Sequence, residues 1–347
     1  MVRLLKIFFL ILALACATPQ SEKPQPEQIE NIVVKDTMTV IFSGDMMQHL
    51  PQVTRAATPD GGFDYSKVFR SITKWWKQSD YVVVNLETTL SDSAPYTGYP
   101  MFRSPSALLD ALKEAGVTTL ALANNHCVDR GLKGVRNTIE AINQRGFDYV
   151  GMSDTTVRQN IAWLKKGSHK VALLNYTYGT NGMPIPESVA VNLIDTTQIR
   201  ADYQMARDEE ATAIVIFFHW GEEYQLQPNS QQKELALWCR ELGADWVIGA
   251  HPHVVQPIDL NHRVVYSLGN LCSNQYFPYT QGGINVILSF YNDRPSDLRC
   301  FPHWVDREAG YGILMCQDTL SHKSREFRQS IKDTYQIINS RVRYDQR

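Results

Sequence analysis

From Thr37 onward, short β-branched runs alternate with amphipathic stretches, which is the pattern of an α/β fold. The runs predict strands over residues 39–43, 81–85, 118–123, 171–176, 213–218, 246–249, 264–268 and 284–290. The amphipathic stretches predict helices over 66–79, 106–115, 132–144 and 230–242. Gly116, Gly146 and Gly243 stand just past the ends of three of these helices, where a left-handed cap needs glycine. No internal repeat interrupts the alternation. Residues 17–36 are rich in Pro, Gln and Glu with few large apolar groups, so they predict a solvated tether ahead of a folded domain over 37–317. The charged tail 318–347, without Gly or Pro, predicts a surface helix.

The extreme N-terminus changes the picture of where this domain works. Arg3 and Lys6 precede an apolar run over residues 7–14 that is too short to span a bilayer, so residues 1–16 are expected to be a signal peptide. Its end, Ala13-Leu14-Ala15-Cys16, resembles a bacterial lipobox, with Cys16 as the lipidated residue. The expectation is a membrane partner through an N-terminal lipid anchor and an extracytoplasmic position in the bacterial cell envelope, in a leaflet left open. Removing Cys16 leaves five cysteines, an odd number that excludes complete internal pairing. Buried thiols are expected, with Cys300 and Cys316 the one pair worth testing for a bridge. An apolar content of 44% over 347 residues supports a sizeable core. A net charge near −2 with a pI near 6.5 and no long basic run argues against nucleic acid as a partner.

Candidate chemistry gathers where the predicted strands end. Five of them run into polar clusters: Gly44-Asp45, Asn85-Leu86-Glu87, Asn124-Asn125-His126, His219-Trp220-Gly221-Glu222 and Gly249-Ala250-His251-Pro252-His253. In open α/β sheets the carboxyl ends of the strands converge on one crevice, so these distant residues are expected to meet. Each cluster alone has a plainer explanation: Gly-Asp as an Asx turn, Glu87 as a helix cap, His219 as a buried, satisfied ring. Together they predict a metal site. Imidazoles with carboxylates and an amide oxygen, and no thiolate, suit Mn, Fe or Zn better than Ca or Mg. A carboxylate such as Glu87 can bridge two ions about 3.5–4 Å apart, an arrangement used for displacement at phosphorus, so one or two divalent ions are expected.

The segments GDMM, NLETTLSD, FRSP, ALANNHCVDRG, HWGEEY, GADWVIGAHPHVVQ and YSLGN, in this order between Val40 and Asn270, resemble the bacterial capsule-synthesis CapA family. That family is similar in turn to the calcineurin-like metallophosphoesterases. The resemblance implies an α/β/β/α sandwich, two central mixed β-sheets flanked by helices. It also implies that Asp45 and His253 hold one ion, that Asn125, His219 and His251 hold the other, and that Glu87 bridges. His126 would correspond to the histidine that steadies or protonates the leaving oxygen. Two departures stand out. The wider pattern has a histidine two residues after the first aspartate, where this chain has Met47, with His49 the only nearby substitute. Glu87 stands where that pattern has aspartate.

Around this set, Asp129 is expected to orient the His126 imidazole, Arg103 either to clamp an anionic substrate or to make a surface salt bridge, and Asn270 to support the ligands from behind. The Tyr178-to-Gly182 segment is expected to be a plain loop, and Trp75 and Trp76 to pack in the core. The resemblance implies a role in capsule or poly-γ-glutamate synthesis as a metal-dependent phosphoesterase at the cell envelope. The implied partners are an acidic polymer or phosphorylated envelope substrate and capsule-synthesis membrane proteins. Two alternatives stay open: a non-catalytic subunit for polymer binding or export, and a metal-dependent γ-glutamyl hydrolase or transferase.

Overall fold

The computed structural model describes residues 36–292 and 296–316. The expected signal peptide with Cys16, nearly all of the expected tether and the expected C-terminal helix lie outside the described residues.

Two mixed β-sheets form the centre. In the first, the order is Gly312–Met315, Asp297–Asp306, Gly282–Tyr291, Thr37–Met46, Tyr81–Leu86, Thr119–Ala121 and Asp148–Val150, with Asn270–Cys272 also pairing to Thr37–Met46. In the second, it is Ile258–Asp259, Val264–Val265, Trp246–Ala250, Ala213–His219, His169–Thr177 and Ala162–Lys166. Side chains alternate across each strand, and the core divides accordingly. Phe42, Val83, Leu173, Val215 and Phe217 fill the space between the sheets, where the Phe42 and Phe217 rings meet edge to face at 6.0 Å. Ile41, Val82 and Val84 instead join the apolar faces of helices Ser66–Trp76, Leu108–Ala115 and Gly131–Gln144. On the far side, Leu174, Ile216 and Phe218 pack with helices Thr196–Asp208 and Ser230–Leu242. The layers are helix, sheet, sheet, helix. Because both faces of these strands are covered, they appear in sequence as unbroken apolar runs.

Helix Ser230–Leu242 has the expected bounds: Asn229 and Gln232 form a capping box, and Gly243 takes the left-handed cap at φ 112°. The helix Thr196–Asp208 was not foreseen, nor were strands Ala162–Lys166 and Asp297–Asp306. That helix buries an acid, Asp202, beside Ile199 and Ala206, and so hides its apolar period. Arg158, Asn160, Gln198 and Tyr176 all donate to Asp202. In strand Asp297–Asp306, Arg299 and Pro302 break the alternation. The strand predicted over 264–268 shrinks to Val264–Val265.

The first strand differs in a way that matters to the site. It does not end at Ser43 but continues to Met46 through an irregularity between Ser43 and Asp45, and Asp45 pairs with Asn270. The Gly44-Asp45 step is therefore strand, not turn. A Cβ on Gly44 would sit 1.8 Å from Gly269 O, so only glycine lets the two backbones approach this closely. All five described cysteines are buried thiols, Cys300 and Cys316 included. Trp76 is buried as expected, its Nε1 donating to Asn285 Oδ1. Among the described residues, no helix is long and apolar enough to cross a membrane.

Candidate metal centre

The carboxyl ends of the parallel strands bring Asp45, Glu87, Asn125, His219, His251 and His253 together, all nearly inaccessible to solvent. His219 Nε2 lies 2.9 Å from Asn125 Oδ1 and 3.1 Å from His251 Nδ1. Asn125 presents its oxygen because its amide nitrogen donates to Asn181 Oδ1. Glu87 Oε1 is 3.6 Å from His219 Nε2. Separations of this size are those of atoms that can share one ion held about 2.1 Å from each. Asp45, Glu87 and His253 make a second such group, and Glu223 makes a third with His251 and His253.

Asn85 joins the two halves. Its Nδ2 donates to Asp45 Oδ1 at 2.7 Å and lies 3.2 Å from His219 Nδ1. Behind His253, Asn270 Oδ1 is 3.1 Å from Nδ1, the supporting position expected of it. The backbone is strained at both imidazoles of the His-Pro-His turn: His251 has φ 97° and His253 φ 58°, in the region that favours glycine.

Electrostatics supply the fit test for a cation. Burial, then the Asp45 and Glu223 carboxylates, push the Glu87 carboxyl well above the usual glutamate range. Burial and the neighbouring imidazoles push His219 and His251 well below the usual histidine range. Both Glu87 oxygens are buried without a hydrogen-bond partner. A carboxyl left in this state is costly, whereas a divalent cation satisfies it and takes neutral imidazoles as ligands. The residues fit a metal.

His126 Nδ1 is 2.9 Å from Asp129 Oδ2, which also accepts from Phe102 N–H, and the Phe102 ring packs edge-on against the imidazole at 4.7 Å. Arg103 is not brought into the cluster. Phe102 faces His126, and the next residue along extended backbone faces away, so the Arg103 guanidinium donates to Ser91 and Ser93 hydroxyls and lines a separate cavity with Arg130 and Lys133. Met47 is buried two residues after Asp45. His49 caps helix Leu50–Ala56 and stands outside all three metal-competent groups.

The expected plain loop after strand His169–Thr177 lines the site instead. Tyr178 stacks over His219 with the planes 10° apart and packs on His251 at 4.7 Å. Its hydroxyl donates to the same Asn181 oxygen that orients Asn125. The available signal was its place at the end of a strand, like the ligands' own. Asn85 carried the same signal within its cluster, and Glu223 stood one residue beyond the cluster considered.

Comparison with known proteins bears on this arrangement. Residues 39–275 match the family model described as bacterial capsule synthesis protein PGA_cap. The capsule biosynthesis protein CapA of Bacillus anthracis is 31% identical over 86% of this chain and 74% of its own length. The PGA biosynthesis protein CapA of Bacillus subtilis is 28% identical over 89% of this chain and 83% of its own. Among solved structures, one assigned as a 5′-nucleotidase from Staphylococcus aureus superposes with a TM-score of 0.51 at 14% identity, over 86% of this chain and 58% of that one. This likeness carries the fold alone. With an ordered set of motifs and a family model spanning most of the folded domain, the chain belongs to the bacterial capsule synthesis protein PGA_cap family.

Proposed function

We propose that this protein acts in capsule or poly-γ-glutamate synthesis at the bacterial cell envelope, anchored through Cys16, and that its cleft is a metal-dependent phosphoesterase site. The family and the names of its relatives support the role in capsule or poly-γ-glutamate synthesis, and the lipobox-like end of the N-terminal segment supports the anchor. One observation carries the reading of the cleft: the fully buried Glu87 carboxyl, without a hydrogen-bond partner, faces His219 and His251. Asn125, His219 and His251 would hold one ion, Asp45 and His253 another, with Glu87 between them and Mn, Fe or Zn the metals suited to these donors. Such ions, when bound, supply Lewis acidity and charge neutralisation for displacement at phosphorus.

The chain's own residues do the rest. His126 keeps its Nδ1 proton on Asp129, so Nε2 is the atom that donates a proton to a leaving oxygen. Phe102 fixes the ring plane from one side, and its N–H holds Asp129 in place. Tyr178 covers His219 and His251 and limits the access of water to them.

The test is a parallel assay of aryl phosphate mono- and diesters and of poly-γ-glutamate, with metal-loaded wild type, His126→Ala and His251→Ala. The expected result is phosphoester hydrolysis that drops about 100-fold or more in His126→Ala with metal content retained, and that falls together with metal content in His251→Ala. Inert phosphoesters with shortened polymer would replace this reading with a γ-glutamyl hydrolase. Inertness toward both, with metal-dependent polymer binding, would replace it with a binding subunit.

A further inference from the structure

The His253 imidazole has a defined tautomer. Its Nδ1 lies 3.0 Å from Asp45 Oδ2 and 3.1 Å from Asn270 Oδ1. The Asn270 amide nitrogen is committed to Ser273 Oγ, Gln275 Oε1 and Thr280 O, so it is the oxygen that faces the ring. Two acceptors therefore share an Nδ1 proton, and Nε2 carries the lone pair. That lone pair faces Glu87 Oε1 and Glu223 Oε1, each 3.9 Å away. Two carboxylates facing one ring nitrogen gather negative charge that a cation among them, a proton on Nε2 or a metal ion, offsets. Donors sharing one ion at about 2.1 Å are at most about 4.2 Å apart, which these distances satisfy.

Asp45 adds little further capacity. Its Oδ1 accepts from Asn85, and its Oδ2 accepts from His251 N–H as well as facing His253 Nδ1. Met47, two residues on, offers only a buried thioether, a poor donor for a hard divalent ion. The missing ligand comes from another strand end. After strand Ala213–His219 the chain turns at Gly221, with φ 87° and a position where a Cβ would meet the Gln232 side chain at 2.6 Å. Tyr224 N–H then donates to Pro252 O at 2.8 Å, tying this segment to the turn that carries His251 and His253. Glu223 is thereby held at the mouth of the cleft, its side chain 40% exposed while every other member of the cluster is buried.

We propose that Glu223 is a metal ligand at the His253 ion site, where its carboxylate groups with His253 and His251. The inference rests on the metal-binding reading above. A ligand at the solvent-facing rim makes this ion the more exchangeable of the two, with the ion at Asn125, His219 and His251 enclosed.

The test uses full-length protein stripped with chelator and titrated with Mn²⁺ alone, read by calorimetry and by the electron paramagnetic resonance signal of coupled ions. Wild type should bind two equivalents and Glu223→Gln should keep the tighter one. The weaker one should lose affinity about tenfold or more and the coupled signal should disappear, with Glu223→Asp intermediate. The chelator-stripped melting temperature should be the same in all three, which excludes misfolding as the cause. Mn²⁺ bound with equal stoichiometry and affinity by wild type and Glu223→Gln would overturn the role of Glu223 alone. Failure of wild type to bind Mn²⁺ at all would remove the metal reading itself.

Discussion

Glu87 is the residue on which the centre turns, because its buried carboxyl meets no hydrogen-bond donor. Glu87→Gln should leave the metal-free melting temperature unchanged or higher while abolishing the rise that Mn²⁺ gives wild type. An ion at 100 times its Kd contributes about 2.7 kcal/mol, a shift of about 4–5 °C for a domain of this size. Scanning fluorimetry with and without Mn²⁺ decides the matter, and a rise that survives in Glu87→Gln removes the carboxyl from the site. His303 is a different kind of buried group. Its Nε2 lies 2.9 Å from Asn270 O, and its Nδ1 3.1 Å from Asn285 Nδ2. Burial holds its pKa at about 4 against an ordinary 6.5, and His49 is pushed to about 4 in the same way. Unfolded chains take up these protons near 6.5 and the folded protein only near 4. Stability is therefore fully present above the first value and lost as pH falls toward the second, by up to about 3 kcal/mol per ring. Urea unfolding at pH 7.5 and 5 should show this loss, and His303→Gln should reduce it; an unchanged pH slope would contradict the assignment.

At the scale of elements, the first strand and its partner segment set the position of Asp45. Gly44→Ala would drive a methyl group into Gly269 O, and neither backbone can yield without moving Asp45 and Asn270 together. The expected cost exceeds about 4 kcal/mol, visible as insoluble expression or a lowered urea midpoint. A soluble variant with an unchanged midpoint would mean that the two strands can separate here at little cost. The same strand shows why some elements were legible and others not. Thr37–Met46 and Ala213–His219 are apolar on both faces, so their existence shows in composition alone, but the irregularity that carries the first one past Ser43 depends on Gly269 and is invisible locally. Helix Thr196–Asp208 was missed because its buried face is organised around Asp202, whose partners come from residues as far back as Arg158.

For the molecule as a whole, location is the expectation most open to experiment. Wild type should partition with membranes, and Cys16→Ser should move to the soluble fraction. Wild type found soluble from the start would end the lipid-anchor proposal. The order of the motifs, together with apolar runs ending in Asp, Glu, Asn and His, was enough to indicate the layered α/β fold, the family and the six residues that gather at the strand ends. These are properties of local pattern, because a strand buried on both faces and a polar cluster at its end are written in consecutive residues. Other features required the folded chain: the tautomer of His253, the unpartnered state of Glu87, the cover of Tyr178 over two imidazoles, the turning away of Arg103 and the approach of Glu223. Each depends on which atoms from distant segments face one another and on how far water is excluded from between them. Side-chain direction, hydrogen-bond partner and desolvation exist only once the sheets have packed.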